Sequence, residues 1–271
     1  MTYGLRELKK MGTGLEFNPK LLGMICNWCC YGGADLCGVS RLQYPPHIKL
    51  IRVMCSARVD LAHVFRAFSN GVDGMFIGGC HINDCHYITN GNYNALGMVR
   101  ICKKLLEYIG VNPDRLRLEW VSAGEGVRFA SVMNEFSPKI QKLGPLGTSE
   151  GLTADELKFR LDSVIKLIPY IKLVERERLR APLTLRTSPD PEAAHHEFYG
   201  SDGFNRLFDE TIVEKLALNR ILMLLREKPL TTKEISERFN LRSSDVARYL
   251  KNSSRYGFVW YDPERQCYAI P

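Results

Sequence analysis

Residues 74–87 read GMFIGGCHINDCHY. The stretch opens as an apolar run of strand length and closes on two glycines and Cys80, with His81, Cys85 and His86 just beyond. A short unbroken apolar run bounded by glycine fits a strand covered on both faces, as in a parallel sheet. Thiols and imidazoles at its end then fall on the sheet edge where α/β proteins build their sites.

The same pattern recurs on both sides. LLGMIC (21–26), IKLIRVMC (48–55) and RLRLEWVS (115–122) are further strand candidates. Between them, DLAHVFRAFS (60–69) begins with Asp60 as an N-cap. Over 92–109, Ala95, Val99, Cys102, Leu106 and Ile109 recur at helical spacing. GEGVRFASVMNEFSPKIQKLG (124–144) is helical, with a break expected at Pro138 and an end near Gly144. This alternation predicts an α/β fold, a small flavodoxin-like parallel sheet of about four strands with helices on both faces.

PLGTSEG (145–151) reads as a linker, and a long helical pattern follows over 153–180. RTSPDPEAAHH (186–196) reads as a polar, proline-containing loop, with His195–His196 beside Glu197 a flexible pair lacking a third metal ligand. A helix over about 210–226, one starting at Thr231 or Thr232, and one in SSDVARYLKNSSRYG (243–257) precede a hairpin, FVWYDPERQCYAI (258–270), turning at Asp262–Pro263. Three helices and a two-stranded wing predict a winged helix-turn-helix. The expected division is an α/β domain at 1–145, a helical linker region at 146–205 and the winged-helix domain at 206–271.

Composition narrows the function classes. With 45% hydrophobic and 25% charged residues, wholesale disorder is excluded. No apolar run is long enough to span a bilayer, and the start, MTYGLRELKKMGTG, has no apolar signal core, so a cytoplasmic protein is expected. The net charge of +7 is spread out, with 17 Lys/Arg against 12 Asp/Glu in residues 1–150 and 20 against 18 in the remainder. There is no basic tail, and the charge gives little support to nucleic-acid binding.

Nine cysteines are many for a reducing compartment, and seven fall between Cys26 and Cys85. Disulfides are rare there, so the clustering points to metal or redox chemistry. Cys26, Cys55 and Cys80 end three successive strand candidates, with Cys29 and Cys85 a few residues further on. Five thiols from three segments can therefore converge on one crevice. The residues alone leave three chemistries open. Cys26-x-x-Cys29 after a strand suits a dithiol redox pair but leaves Cys55, Cys80 and Cys85 without a role. Structural zinc takes four thiols, usually from two close pairs. An iron–sulfur cluster also takes four thiolates and tolerates dispersed ligands.

CNWCCYGGAD (26–35), RVMCSARV (52–59), GGCHINDCHYITNGNYNA (78–95) and WVSAGEGVRFA (120–130) occur in that order. Over about residues 20–142 the chain resembles the delta subunit of methyl-viologen-reducing hydrogenase. The resemblance implies a 2Fe–2S cluster and a non-catalytic electron-transfer role. It would join a hydrogenase, formate dehydrogenase or other dehydrogenase to a heterodisulfide-reductase-like flavin and iron–sulfur subunit. Carried over, the motif cysteines are Cys26, Cys29, Cys55, Cys80 and Cys85. Such a cluster takes four ligands, expected to be Cys55, Cys80 and Cys85 with one of Cys26 and Cys29. Cys30 is an extra thiol that could substitute, and the family often has Gly where this chain has Ala57 and Asn83. About 125 residues lie beyond the stretch the family usually comprises.

Other residues take supporting or bland readings. His81 and His86 are expected to donate N–H to sulfur or a carbonyl, rather than to ligate as in a Rieske site. Arg58 either offsets cluster charge or is a solvated helix-start residue, and Trp28 either shields the centre or is core. Cys102 and Cys37 read as packing residues, and Cys267 has no evident partner. Gly32–Gly33 and Gly78–Gly79 suggest close backbone approach but match no dinucleotide fingerprint, so no nucleotide cofactor is expected. In the last helix Arg248, Lys251 and Arg255 share a face opposite Val246, Leu250 and Ser253. Protein docking is the favoured use of this domain, and a redox-sensing DNA-binding regulator is the alternative.

Overall fold

The structure, a computed structural model, describes residues 17–271. The chain start read above as lacking a signal segment lies outside them. Four strands, β1 (Leu21–Cys26), β2 (Ile48–Val53), β3 (Gly74–Gly79) and β4 (Leu116–Trp120), form one parallel sheet in the order β2-β1-β3-β4. All of β3 is buried, which is why its sequence runs apolar without alternation. The strands pair in register to their carboxyl ends, with Cys26 of β1 opposite Val53 of β2 and Gly79 of β3 opposite Trp120 of β4.

Side chains alternate across the sheet. Met24, Met75 and Ile77 face a core with helices α2 (Leu61–Ser69), α3 (Asn92–Tyr108) and α5 (Ala154–Val174). Ile25 and Phe76 face a second core with α1 (Cys30–Val39) and α4 (Gly126–Leu143). Full burial of side chains such as Phe65, Phe76 and Phe136 contributes about 1.5–3 kcal/mol each. Asp60 caps α2 as expected, accepting from the Ala62 and His63 amides at 2.9 and 3.3 Å, and His63 Nδ1 accepts in return from the Asp60 amide.

Several local expectations are corrected. α4 runs unbroken through Pro138 and stops at Gly144, whose φ is +74°. Buried Met133, Phe136 and Ile140 anchor it on both sides of the proline, and that burial outweighs the missing backbone bond. α1 contains two of its ten residues as adjacent glycines and a third at Gly38, so its sequence carries little helical signal; contact with α4 and the sheet forms it. The expected loop at 186–196 instead starts α6 (Pro191–Gly200), with Asp190 as N-cap and Pro191 at the first helical position. His195 is therefore buried in a helix, not part of a flexible pair.

The helical segment packs onto the helices of the sheet. Leu161, Val164 and Ile168 of α5, Tyr199 of α6, and Phe204 and Phe208 of α7 (Asp202–Phe208) share the core of α2 and α3. α5 passes into a π-helical turn at Glu175–Leu179, and a second such turn at Asp209–Val213 joins α7 to α8 (Glu214–Leu225). α9 (Thr232–Phe239), α10 (Ser243–Arg255) and an antiparallel pair, β5 (Trp260–Asp262) and β6 (Cys267–Ala269), close a separate small core around Ile221, Ile235, Val246 and Leu250. Among the described residues no helix is long and apolar enough to cross a membrane.

The amino-terminal edge of the sheet is closed by a buried ionic knot. Arg115, with no exposure, donates Nε to Glu150 Oε1 at 2.7 Å. Its Nη1 reaches the Asp73 and Gly144 carbonyls, and Nη2 reaches the Pro145 carbonyl, Ser149 Oγ and Glu150 Oε2. Asp73 accepts from the Lys20 and Leu146 amides. Strands β1, β3 and β4 are thereby tied to the turn that leads into α5.

Candidate metal centre

The opposite, carboxyl edge gathers the thiols. Cys26 is the last residue of β1, Cys29 is the N-cap of α1, Cys55 caps a short 3₁₀ turn after β2, and Cys80 follows β3 directly. The sulfurs of Cys26, Cys29 and Cys80 all lie within 4.8 Å of one another, with Cys26 Sγ 4.0 Å from Cys80 Sγ. Cys55 interacts with both Cys26 and Cys85. The five motif cysteines thus form one connected, buried set with no disulfide among them.

Backbone geometry makes room for sulfur. A Cβ on Gly78 would sit 2.3 Å from Cys30 Sγ, and one on Gly91 would sit 2.1 Å from Cys85 Sγ. Only glycine lets these thiols pack against the backbone. Cys30 lies behind β3, fully buried, and feels Cys29 and Cys80 electrostatically. Asn83, at φ +70°, occupies the left-handed region that Asn tolerates better than most residues.

Cys26, Cys29, Cys55 and Cys80 shift one another's pKa. Contacts from the Cys29 and Cys55 thiols lower the Cys26 pKa. Cys29 is pushed up to about 12, by its contact with Cys26 and by burial. For Cys80 the Cys26 contact pulls down, but Cys29 and burial outweigh it and the value rises to about 12. Cys55 is raised, first by Cys26 and then by burial, and Cys30 is raised by burial. Cys26 is thus the thiol held below its ordinary range, while burial of its neighbours opposes their ionisation unless a cation compensates.

The surrounding residues divide. His81 Nε2 lies 2.7 Å from Glu125 Oε2, which also accepts from the Ser122 amide at 2.8 Å, so His81 is turned away from a ligand role by a carboxylate. His86 stacks on Trp28 with centroids 4.1 Å apart. Trp28 is 45% exposed, so it covers the rim rather than joining the core. Arg58 is exposed on the turn after Cys55, as a solvated residue would be. Cys102 lies against Met98 in the core and Cys37 approaches the Leu42 carbonyl, both apart from the cluster; Cys267 is buried in β6.

Sequence reasoning missed three residues. Asn92, at the start of α3, donates Nδ2 to the Cys80 and His81 carbonyls at 3.1 and 2.6 Å. Ser56 Oγ and Asn92 Oδ1 are buried with no hydrogen-bond partner among the described residues. Glu125 lies inside the quoted WVSAGEGVRFA motif, so its pairing with His81 had a visible signal; Asn92 and Ser56 had none.

A parallel α/β sheet with buried thiols massed on its carboxyl edge defines a cysteine-centred α/β protein. The chain belongs to the methyl-viologen-reducing hydrogenase delta subunit family, whose model matches residues 21–144. It is 48% identical over 130 residues to the F420-non-reducing hydrogenase iron-sulfur subunit of Archaeoglobus profundus, covering 48% of this chain and 94% of that protein. The vhc iron-sulfur subunit of the corresponding hydrogenase of Methanococcus voltae is 47% identical over 135 residues, 50% of this chain and 93% of its own length. A ferredoxin/F(420)H(2)-dependent CoB-CoM heterodisulfide reductase subunit of Methanosarcina acetivorans is 45% identical over 130 residues, covering 48% of this chain but 16% of that protein.

Proposed function

We propose that this chain is an electron-transfer subunit holding a 2Fe–2S cluster at the carboxyl edge of its sheet. The observation that carries the reading is the connected, buried set of thiols at Cys26, Cys29, Cys55, Cys80 and Cys85. The donor set fits such a group, which is held by four thiolates. When bound, the cluster would supply a one-electron redox couple. Cys55, Cys80 and Cys85 with one of Cys26 and Cys29 are the proposed ligands, and Cys30 stands in reserve behind Gly78. Burial keeps water from the sulfurs, and Trp28 with His86 covers the rim.

The relatives' names support a place in hydrogenase or heterodisulfide reductase complexes. In this reading the chain relays electrons between a hydrogenase or other dehydrogenase and a heterodisulfide-reductase-like subunit in a cytoplasmic complex. The chemistry on substrates would belong to those partners. In this reading residues 1–145 form the cluster domain, 146–205 a helical region and 206–271 a winged helix used for docking. Arg248, one of the basic positions on α10, is engaged by Glu214 at 3.1 Å and Asp245 at 3.4 Å, which weakens a DNA-reading role. Exposed Tyr256, Phe258, Trp260 and Tyr261 suit a protein interface.

Anaerobically purified protein is expected to be coloured, to contain two irons and two sulfides per chain and to give an EPR signal on reduction. Zinc with no iron would overturn the cluster. A salt-sensitive gel shift with duplex DNA near physiological ionic strength would favour the regulator instead.

A further inference from the structure

Residues 145–271 have no counterpart of comparable length in the two hydrogenase subunits above, because the shared stretch fills 94% and 93% of them. Yet this part of the chain reaches the loop that carries Cys85. That loop, 81–91, has little support of its own. Asn83, Asp84 and His86–Asn90 are exposed, and its internal backbone bonds are confined to Asp84 to His81 and to Asn90 and Gly91 onto Tyr87.

Glu125 on His81, Asn92 on the His81 carbonyl and Trp28 on His86 hold parts of it from the sheet side, and Arg186, in the 3₁₀ turn Leu183–Thr187, adds a hold from the C-terminal part of the chain. Its Nη1 donates to the Thr89 carbonyl, and its guanidinium carbon lies 4.9 Å from the centroid of the Tyr93 ring. Tyr93 in turn donates its hydroxyl to Asn83 Oδ1 at 2.7 Å. Buried His195 of α6 also packs on that ring, with centroids 4.9 Å apart, and is itself fixed by Nδ1 at 2.7 Å from the Pro191 carbonyl. The two ends of the exposed loop, Asn83 and Thr89, are thus held through one arginine and one tyrosine, with Cys85 between them.

We propose that Arg186 is a positioning residue through which the C-terminal extension fixes the Cys85 loop and hence the geometry of the thiol centre. The claim about the centre rests on the cluster reading above, whereas the claim about the loop does not. A charge-assisted hydrogen bond to a backbone carbonyl combined with a cation–π contact is a strong local restraint on an otherwise solvated segment.

The test uses the full chain with Arg186→Ala and Arg186→Lys. In metal-free, reduced protein, hydrogen exchange of 81–91 and iodoacetamide alkylation of Cys85 are followed by mass spectrometry. Arg186→Ala should accelerate both about tenfold, the scale of one lost charge-assisted bond. Exchange in β1 and β3, and alkylation of Cys267, should stay unchanged. Arg186→Lys should fall between, because it keeps the charge but not the planar stack. In iron-loaded protein, Arg186→Ala should alter the EPR line shape at unchanged iron content. Unchanged exchange and alkylation, or an equal rise across the whole sheet, overturns the positioning role. An unchanged spectrum overturns its reach to the centre. Failure of the cluster reading shows separately, as wild-type protein without iron in which the exchange and alkylation effects persist.

Discussion

At the amino-terminal edge of the sheet, Arg115 aims Nε and both Nη groups at named acceptors, and Glu150 beneath it accepts from Arg115 and from the Asn112 and Gly147 amides. At the carboxyl edge, about six residues away along each strand, thiols touch mainly one another, and Ser56 Oγ and Asn92 Oδ1 are buried without partners among the described residues. Both edges are buried, so burial does not distinguish them. What differs is whether the protein completes its own polar network. A closed network holds the chain together, while an open one among thiols accords with the proposed cluster.

The largest effect should come from breaking the open edge. Cys80→Ala is expected to abolish the visible and EPR signals and the bound iron, whereas Cys102→Ala, whose sulfur meets only Met98 and the core, should leave all three intact. Iron retained in full by Cys80→Ala would remove the contrast between the edges. The complementary change is Arg115→Met. It leaves the Glu150 carboxylate, 5% exposed, without its cation, and should destabilise the chain by about 3–5 kcal/mol in a denaturant melt. Iron content per folded chain should not change.

Acid offers a gentler way to open the closed edge. Burial pushes the Glu150 carboxyl up, but the Arg115 and Asn112 hydrogen bonds outweigh it and hold the pKa below the usual glutamate range. A depressed folded-state value means that the stabilisation is complete above the unfolded pKa of about 4.3 and is lost as pH falls through the lower folded value. Melting temperature should therefore decline as pH drops below about 4.3, and Glu150→Gln should flatten that part of the profile. If the glutamine variant keeps the same acid slope, the knot is not what titrates there.

The open edge was far more legible than the closed one. Three cysteines at or just past the ends of consecutive strands are visible in sequence because strand ends can be read from apolar runs and glycines, and because cysteine is rare enough to stand out. Arg115 and Glu150 looked like any surface charges, since nothing local marks an arginine that will be enclosed by a turn 35 residues later. α1 and the course of α4 through Pro138 were hidden for a related reason: local propensity opposes both, and distant packing decides. α6, in contrast, was readable from Asp190-Pro191-Glu192, an N-cap, a first-turn proline and a first-turn acid, and the surrounding polar composition obscured it.

The smallest expected effect comes from a site that joins neither edge. Asp60 caps α2 and also meets Lys172 of α5 at 2.6 Å. The ion pair is half-exposed and should contribute little, whereas loss of the cap removes the side-chain acceptor of the Ala62 amide and leaves the His63 amide only the Asp60 carbonyl. Asp60→Ala is therefore expected to cost about 1 kcal/mol, and Asp60→Asn, which keeps the side-chain oxygen, only a few tenths. Lys172→Ala should resemble the asparagine variant, because both remove the pair and spare the cap. If Lys172→Ala costs as much as Asp60→Ala, the salt bridge to α5 rather than the cap is what secures the start of α2, and the ranking of local over electrostatic contributions away from the two edges is reversed.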